Sequence, residues 1–168
     1  MSSKLPITID EEDFVKLIEN TKKEEHKIAF LLGFGSGMRV SEIIGLQPYD
    51  VNFKEKRILV RQGKGKKDRV VPLPKGFKEK HLAMLPLKVT TRALQYAFFY
   101  ASKRARLNES KPGIHFHSLR HGFASQCVKN GMPIHFVRTL MGHSNISTTN
   151  VYLTANPKDA LKSYEDLF

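Results

Sequence analysis

At 168 residues, 40% of them apolar and 26% charged, the chain has the size and composition of one globular domain. No apolar run approaches the roughly 20 residues that a membrane-spanning helix requires, and no secretory leader is recognisable, so a cytoplasmic protein with no membrane partner is expected. The formal net charge of +12 favours a polyanionic partner, and nucleic acid is the commonest one inside a cell, which makes a nucleoid location the natural expectation.

In chain order, "TIDEED" opens the first helix. Thr8 with Glu11 reads as a capping box, acidic residues fill the first turn, and Phe14, Leu17 and Ile18 form the apolar stripe. A second helix is expected over 26–35, loosened by Gly33, Gly35 and Gly37, and a short third over 39–46. "RILV" (57–60) and "RVVPL" (69–73) read as strands joined by the glycine-containing turn "QGKGKKD", a hairpin. Residues 74–88 read as loop. A helix follows from Thr90 to about Leu107, with Leu94, Ala97, Phe98 and Ala101 inward and Tyr96, Phe99 and Tyr100 as further packing. Helices are predicted over 117–129, over 133–141 with Pro133 in its first turn, and over 157–166, with Ala160, Leu161 and Tyr164 inward. "STTNVYL" reads as a short helix or turn. Cys127, the single cysteine, excludes an intrachain disulfide and is expected to be an inert buried thiol. The fold class is α+β, mostly helical, with a small antiparallel sheet.

Charge is unevenly spread. The first 25 residues hold seven acidic and four basic side chains, whereas residues 54–69 hold eight basic and two acidic ones. Lys64, Lys66, Lys67 and Arg69 lie on or beside the hairpin turn, with Arg61 at its start. A solvated tip is the plain reading, and a ribbon meeting phosphates along a DNA groove is the functional one. The stretch "GIHFHSLRHGFAS" (113–125) gathers His115, His117, Arg120 and His121. His117 and His121 have the spacing of a metal pair, but nothing at matching spacing completes a zinc motif, so no metal is expected. His117 and Arg120, three apart, suit donors converging on an anion. Arg39 stands at a helix start after glycines, His143 follows Gly142, and Tyr152 comes nine residues later. Two arginines, two histidines, a lysine and a tyrosine are the groups needed to attack a phosphodiester without metal.

Together these segments resemble the catalytic domain of the tyrosine recombinases, in the Xer-like and archaeal integrase branch. The resemblance rests on "GMRVSEIIGL", "GKGKKDRVVPL", "HSLRH", "LMGHSNISTT" and Tyr152, in that order, and covers residue 8 to the C-terminus. It implies metal- and cofactor-free DNA cleavage and rejoining, with Tyr152 as nucleophile. By the same resemblance Arg39 and Arg120 clamp the phosphate, and Lys64 is the acid for the leaving 5′-oxygen. His117 accepts the tyrosine proton, His143 stabilises the phosphate, and Glu42 orients the site. Lys66, Lys67, Arg69 and Arg61 are the expected DNA contacts. The resemblance further implies double-stranded DNA as partner, a homotetramer on DNA that is monomeric or weakly associated when free, and docking of the last helix in cis or on a neighbour. Residues 1–168 are read as one catalytic domain without the helical core-binding domain that precedes it in typical members. Type IB topoisomerase-like relaxation and a non-catalytic DNA-binding accessory module are the competing functions.

Overall fold

The computed structural model describes residues 6–61, 67–142 and 157–168. Three helices come first: α1 (Glu11–Glu19), α2 (Glu24–Ser36) and α3 (Val40–Gly45). The cap of α1 is not Thr8. Ile9 is buried in the core, which fixes the approach of the chain, and Asp10 caps the helix in a reciprocal box with Asp13. An N–H from Asp13 reaches Asp10 at 2.9 Å.

A three-stranded antiparallel sheet follows, ordered β1 (Val51–Asn52), β2 (Arg57–Val60), β3 (Arg69–Pro72), with Val60 opposite Arg69 and Ile58 opposite Val71. The short β1 was not foreseen; its two residues are too few to show alternation. Within 74–88, expected to be loop, Glu79–Met84 forms a 3₁₀ helix. Then come α4 (Thr91–Arg104), α5 (Leu107–Ser110), α6 (His117–Lys129), α7 (Ile134–Met141) and α8 (Pro157–Leu167). The helix expected over 90–107 thus divides at Ala105–Arg106, where Arg106 takes a left-handed conformation.

Two apolar clusters hold the fold. The larger joins α1–α4, the sheet and the start of α6 around Leu17, Phe30, Ile43, Ile58, Phe98 and Leu119. Phe30 meets Phe98 and Phe116 edge to face at 5.6 and 5.8 Å. The smaller lies between the second half of α6, α7 and α8, around Phe123, Cys127, Val137, Leu140 and Ala160. Cys127 is buried, as expected. Ala160 is buried, and Leu161 and Tyr164 pack against the same cluster, so α8 covers α7 and β3 of its own chain. On α4, Leu94, Phe98 and Ala101 point inward, whereas Tyr96, Phe99 and Tyr100 are about half exposed, Phe99 meeting Tyr100 edge to face at 5.4 Å and Tyr96 lying under the Arg92 guanidinium. The inward stripe runs through Leu94, Phe98, Ala101 and Ser102, with Ala97 packed against it, and these three lie off it.

Candidate active site

Arg39 is the N-cap of α3, placed there by Gly37. That glycine ends α2 at φ +66°, where an added Cβ would stand 2.5 Å from the Phe123 ring. Glu42, three residues on, reaches back to the Arg39 N–H at 2.8 Å and accepts from Arg39 Nη1 at 3.1 Å. A second guanidinium closes on the same carboxylate. Arg69 donates from Nη1 and Nη2 to Glu42 Oε1 and Oε2 at 2.7 and 2.8 Å, and from Nε to the Leu140 carbonyl at 2.9 Å. Burial alone would raise the Glu42 carboxyl. The hydrogen bonds from Arg69 and Arg39 outweigh it and hold the group at about 2.

Arg69 therefore departs from expectation. It is buried and turned inward, not presented to a DNA groove. Alternation along β3 explains this, because Arg69 shares a face with the fully buried Val71. Arg61 is exposed, but its Nε is engaged by buried Asp50 at 2.7 Å and its guanidinium lies over Tyr49, 5.4 Å from the ring centre. Lys67 is exposed.

On the other side of Arg39 lies the first turn of α6. Arg120, 2% exposed, donates to the carbonyls of Gly37 and Met141, bridging the end of α2 to the end of α7. Burial, with Arg39 and Arg69 nearby, brings its pKa down to about 10, against a smaller opposing effect of Glu42. His117 is exposed. Desolvation, then His121, Arg120, His115 and Arg39, lower its pKa, so it stays neutral further into acid. His121 packs edge to face on His117, ring centres 4.8 Å apart at 85°, which is an aromatic contact. His115 contacts the Gly113 carbonyl through Nδ1 at 3.1 Å. Both rings neighbour that of His117. His117 and Arg120 share the wall of a cavity of about 270 Å³ with Met38, Phe99 and His115.

Of the residues proposed from sequence for catalysis, Arg39, His117 and Arg120 therefore converge, with Glu42 between Arg39 and Arg69. Lys64, Lys66, His143 and Tyr152 lie outside the described residues. The inward role of Arg69 was missed, although the period of two that buries Val71 carried the signal.

The phage integrase family's sequence pattern matches residues 8–86 and 77–159, nearly the whole chain. The chain belongs to that family. Among its relatives, the tyrosine recombinase XerA of Thermococcus onnurineus is 34% identical in an alignment that spans 96% of this chain and 62% of the relative. XerA of Pyrococcus horikoshii is 30% identical in one spanning 96% and 61%. The chain thus spans about three fifths of the length of these curated relatives. A crystal structure of XerA recombinase superposes with a TM-score of 0.66 at 27% identity, covering 98% of this chain and 65% of the other. The XerH recombinase in a pre-cleavage complex with its difH substrate gives 0.69 at 21% identity over 99% and 55%, a likeness of fold. The integrase family's catalytic-domain fold, expected from the sequence motifs, is the one observed.

Proposed function

We propose that this chain is the catalytic domain of a site-specific DNA recombinase or integrase that cuts and rejoins DNA through a 3′-phosphotyrosyl link. The observation that carries the reading is the concentration of charge at the site: the guanidiniums of Arg39 and Arg69 close on one carboxylate, that of Glu42, and buried Arg120 adds a third cation near them. The half-exposed Arg39 and the exposed His117 stand at its open side. Such a site favours an anion, and it favours the doubly charged pentavalent transition state of phosphoryl transfer more than the singly charged diester.

In this reading the phenolic oxygen of Tyr152 bonds to phosphorus as the bond to the 5′-oxygen breaks. The tyrosine proton passes to neutral His117, and Lys64 gives a proton to the leaving oxygen, producing a free 5′-hydroxyl. Arg39 and Arg120 hold the non-bridging oxygens, with His143 beside them. The phosphotyrosyl bond conserves the energy of the diester, so the reverse attack by a 5′-hydroxyl reseals the strand. Lys66, Lys67 and Arg61 meet the DNA backbone. Work on DNA within the nucleoid, as a homotetramer, belongs to the same proposal; structural neighbours solved on DNA support DNA as the partner.

A library of suicide duplexes, each nicked beside a candidate scissile phosphate in a palindromic site, tests this. A denaturation-resistant adduct that disappears in Tyr152→Phe is expected. A library that binds but yields no adduct would reduce the protein to a DNA-binding module, and supercoil relaxation with no recombinant product would make it topoisomerase-like.

A further inference from the structure

Three N–H groups of Arg69 are spent on two different elements. Two go to Glu42 of α3, and Nε goes to the Leu140 carbonyl in the last turn of α7. Arg120 takes the next carbonyl, that of Met141. The final carbonyls of a helix have no partner within it and carry the negative end of its dipole. Here two buried cations from β3 and α6 hold successive ones. Gly142, which ends α7 at φ +63°, lies so close that an added Cβ would stand 2.8 Å from Arg69 Cδ. The next residue in sequence is His143, and Tyr152 follows nine later.

An inward position on a strand would ordinarily hold an aliphatic residue, and burying an arginine in its place carries a desolvation cost. A lysine could neutralise Glu42, but its ammonium is a single point and lacks a planar fork to serve a carboxylate and a carbonyl on different helices at once. The geometry favours a guanidinium for its shape.

We propose that Arg69 is a positioning residue: by tying Glu42 and Arg39 to the last turn of α7, it fixes the end of that helix, from which the sequence runs on to His143 and Tyr152, against the site formed by Arg39 and Arg120. This rests on the recombinase reading above.

The test uses the full chain with Arg69→Lys and Arg69→Met, and Lys67→Ala as a comparator for a phosphate contact. Amide exchange at Leu140–Gly142 is expected to accelerate tenfold or more in both Arg69 variants. Affinity for duplex DNA, and its salt slope, are expected to stay within twofold, whereas Lys67→Ala flattens the slope. Single-turnover adduct formation at saturating protein should fall at least 30-fold. A substrate with sulfur in place of the leaving 5′-oxygen, which needs no proton donor, should not restore it. Gly142→Ala keeps Arg69 but crowds it, and should reproduce the exchange and cleavage losses if the Arg69 variants fold poorly.

Unchanged exchange at the end of α7, or a salt slope that falls as in Lys67→Ala, overturns the proposal. So does restoration by the sulfur substrate, because Arg69 would then act through the hairpin and its proton donor. Adduct formation that stays normal while only thermal stability drops reduces Arg69 to a structural ion pair. If the unaltered chain forms no adduct on any duplex, the recombinase reading fails, while the exchange experiment still decides whether Arg69 holds α7.

Discussion

Glu42, with a side chain only 10% exposed, lies between two guanidiniums, and its proton equilibrium measures what that arrangement contributes. Its carboxyl falls from 4.5 to about 2 on folding, so the stabilisation is complete above about pH 4.5 and is lost as pH drops through about 2. Glu42→Gln should cost on the order of 3 kcal/mol at pH 7 in urea unfolding, with the difference from the unaltered chain shrinking between pH 4.5 and 2. His117 is lowered as well, first by burial and then by His121, Arg120, His115 and Arg39. Its lowered pKa keeps it neutral, and able to take a proton, below the ordinary 6.5 of histidine. The acid limb of the single-turnover cleavage rate should therefore have its midpoint below pH 6.5; a midpoint above that value would mean His117 is not the group titrating. At this scale sequence was a good guide to residue identity and a poorer one to orientation. Arg39, His117 and Arg120 converge as their motifs implied. Arg69 looked like one more charge on a basic hairpin, because its inward turn depends on strand register, which net charge does not reveal.

Among the elements, helices and strands were legible wherever apolar spacing was regular: α6 spans His117–Lys129, as its pattern indicates, and β2 spans Arg57–Val60. The misreadings have local causes. Thr8–Glu11 and Asp10–Asp13 both fit a capping box, and burial of Ile9 decides in favour of Asp10. On α4 the assumption that aromatic rings bury placed Tyr96, Phe99 and Tyr100 inside, although the stripe through Leu94, Phe98 and Ala101 already filled the inward face. The joint between α2 and α3 is sensitive to a small change. Gly37→Ala would add the strain of a left-handed alanine to a collision with the Phe123 ring, while its carbonyl must still receive Arg120. A loss of about 2 kcal/mol or more in denaturant unfolding is expected, with a larger fractional loss of cleavage.

For the whole molecule, 28 basic side chains against 16 acidic ones should make DNA binding strongly electrostatic. If about six phosphates are neutralised, log affinity against log salt should have a slope near −5, and a slope flatter than about −2 would show that base contacts dominate instead. The division of the interior into two clusters has a separate consequence. The only thiol of the chain, Cys127, is fully buried in the smaller cluster, and desolvation pushes it up to about 12. It can react with a disulfide reagent only while α7 or α8 is lifted away. Its labelling rate is therefore a clock for opening of that corner, independent of DNA and of catalysis. Among the described residues the smaller cluster holds fewer buried apolar side chains than its neighbour, so labelling in native buffer should run faster than global unfolding permits. The part of the molecule that leads toward the tyrosine would then be a subunit of stability in its own right, able to come loose while the rest stays folded.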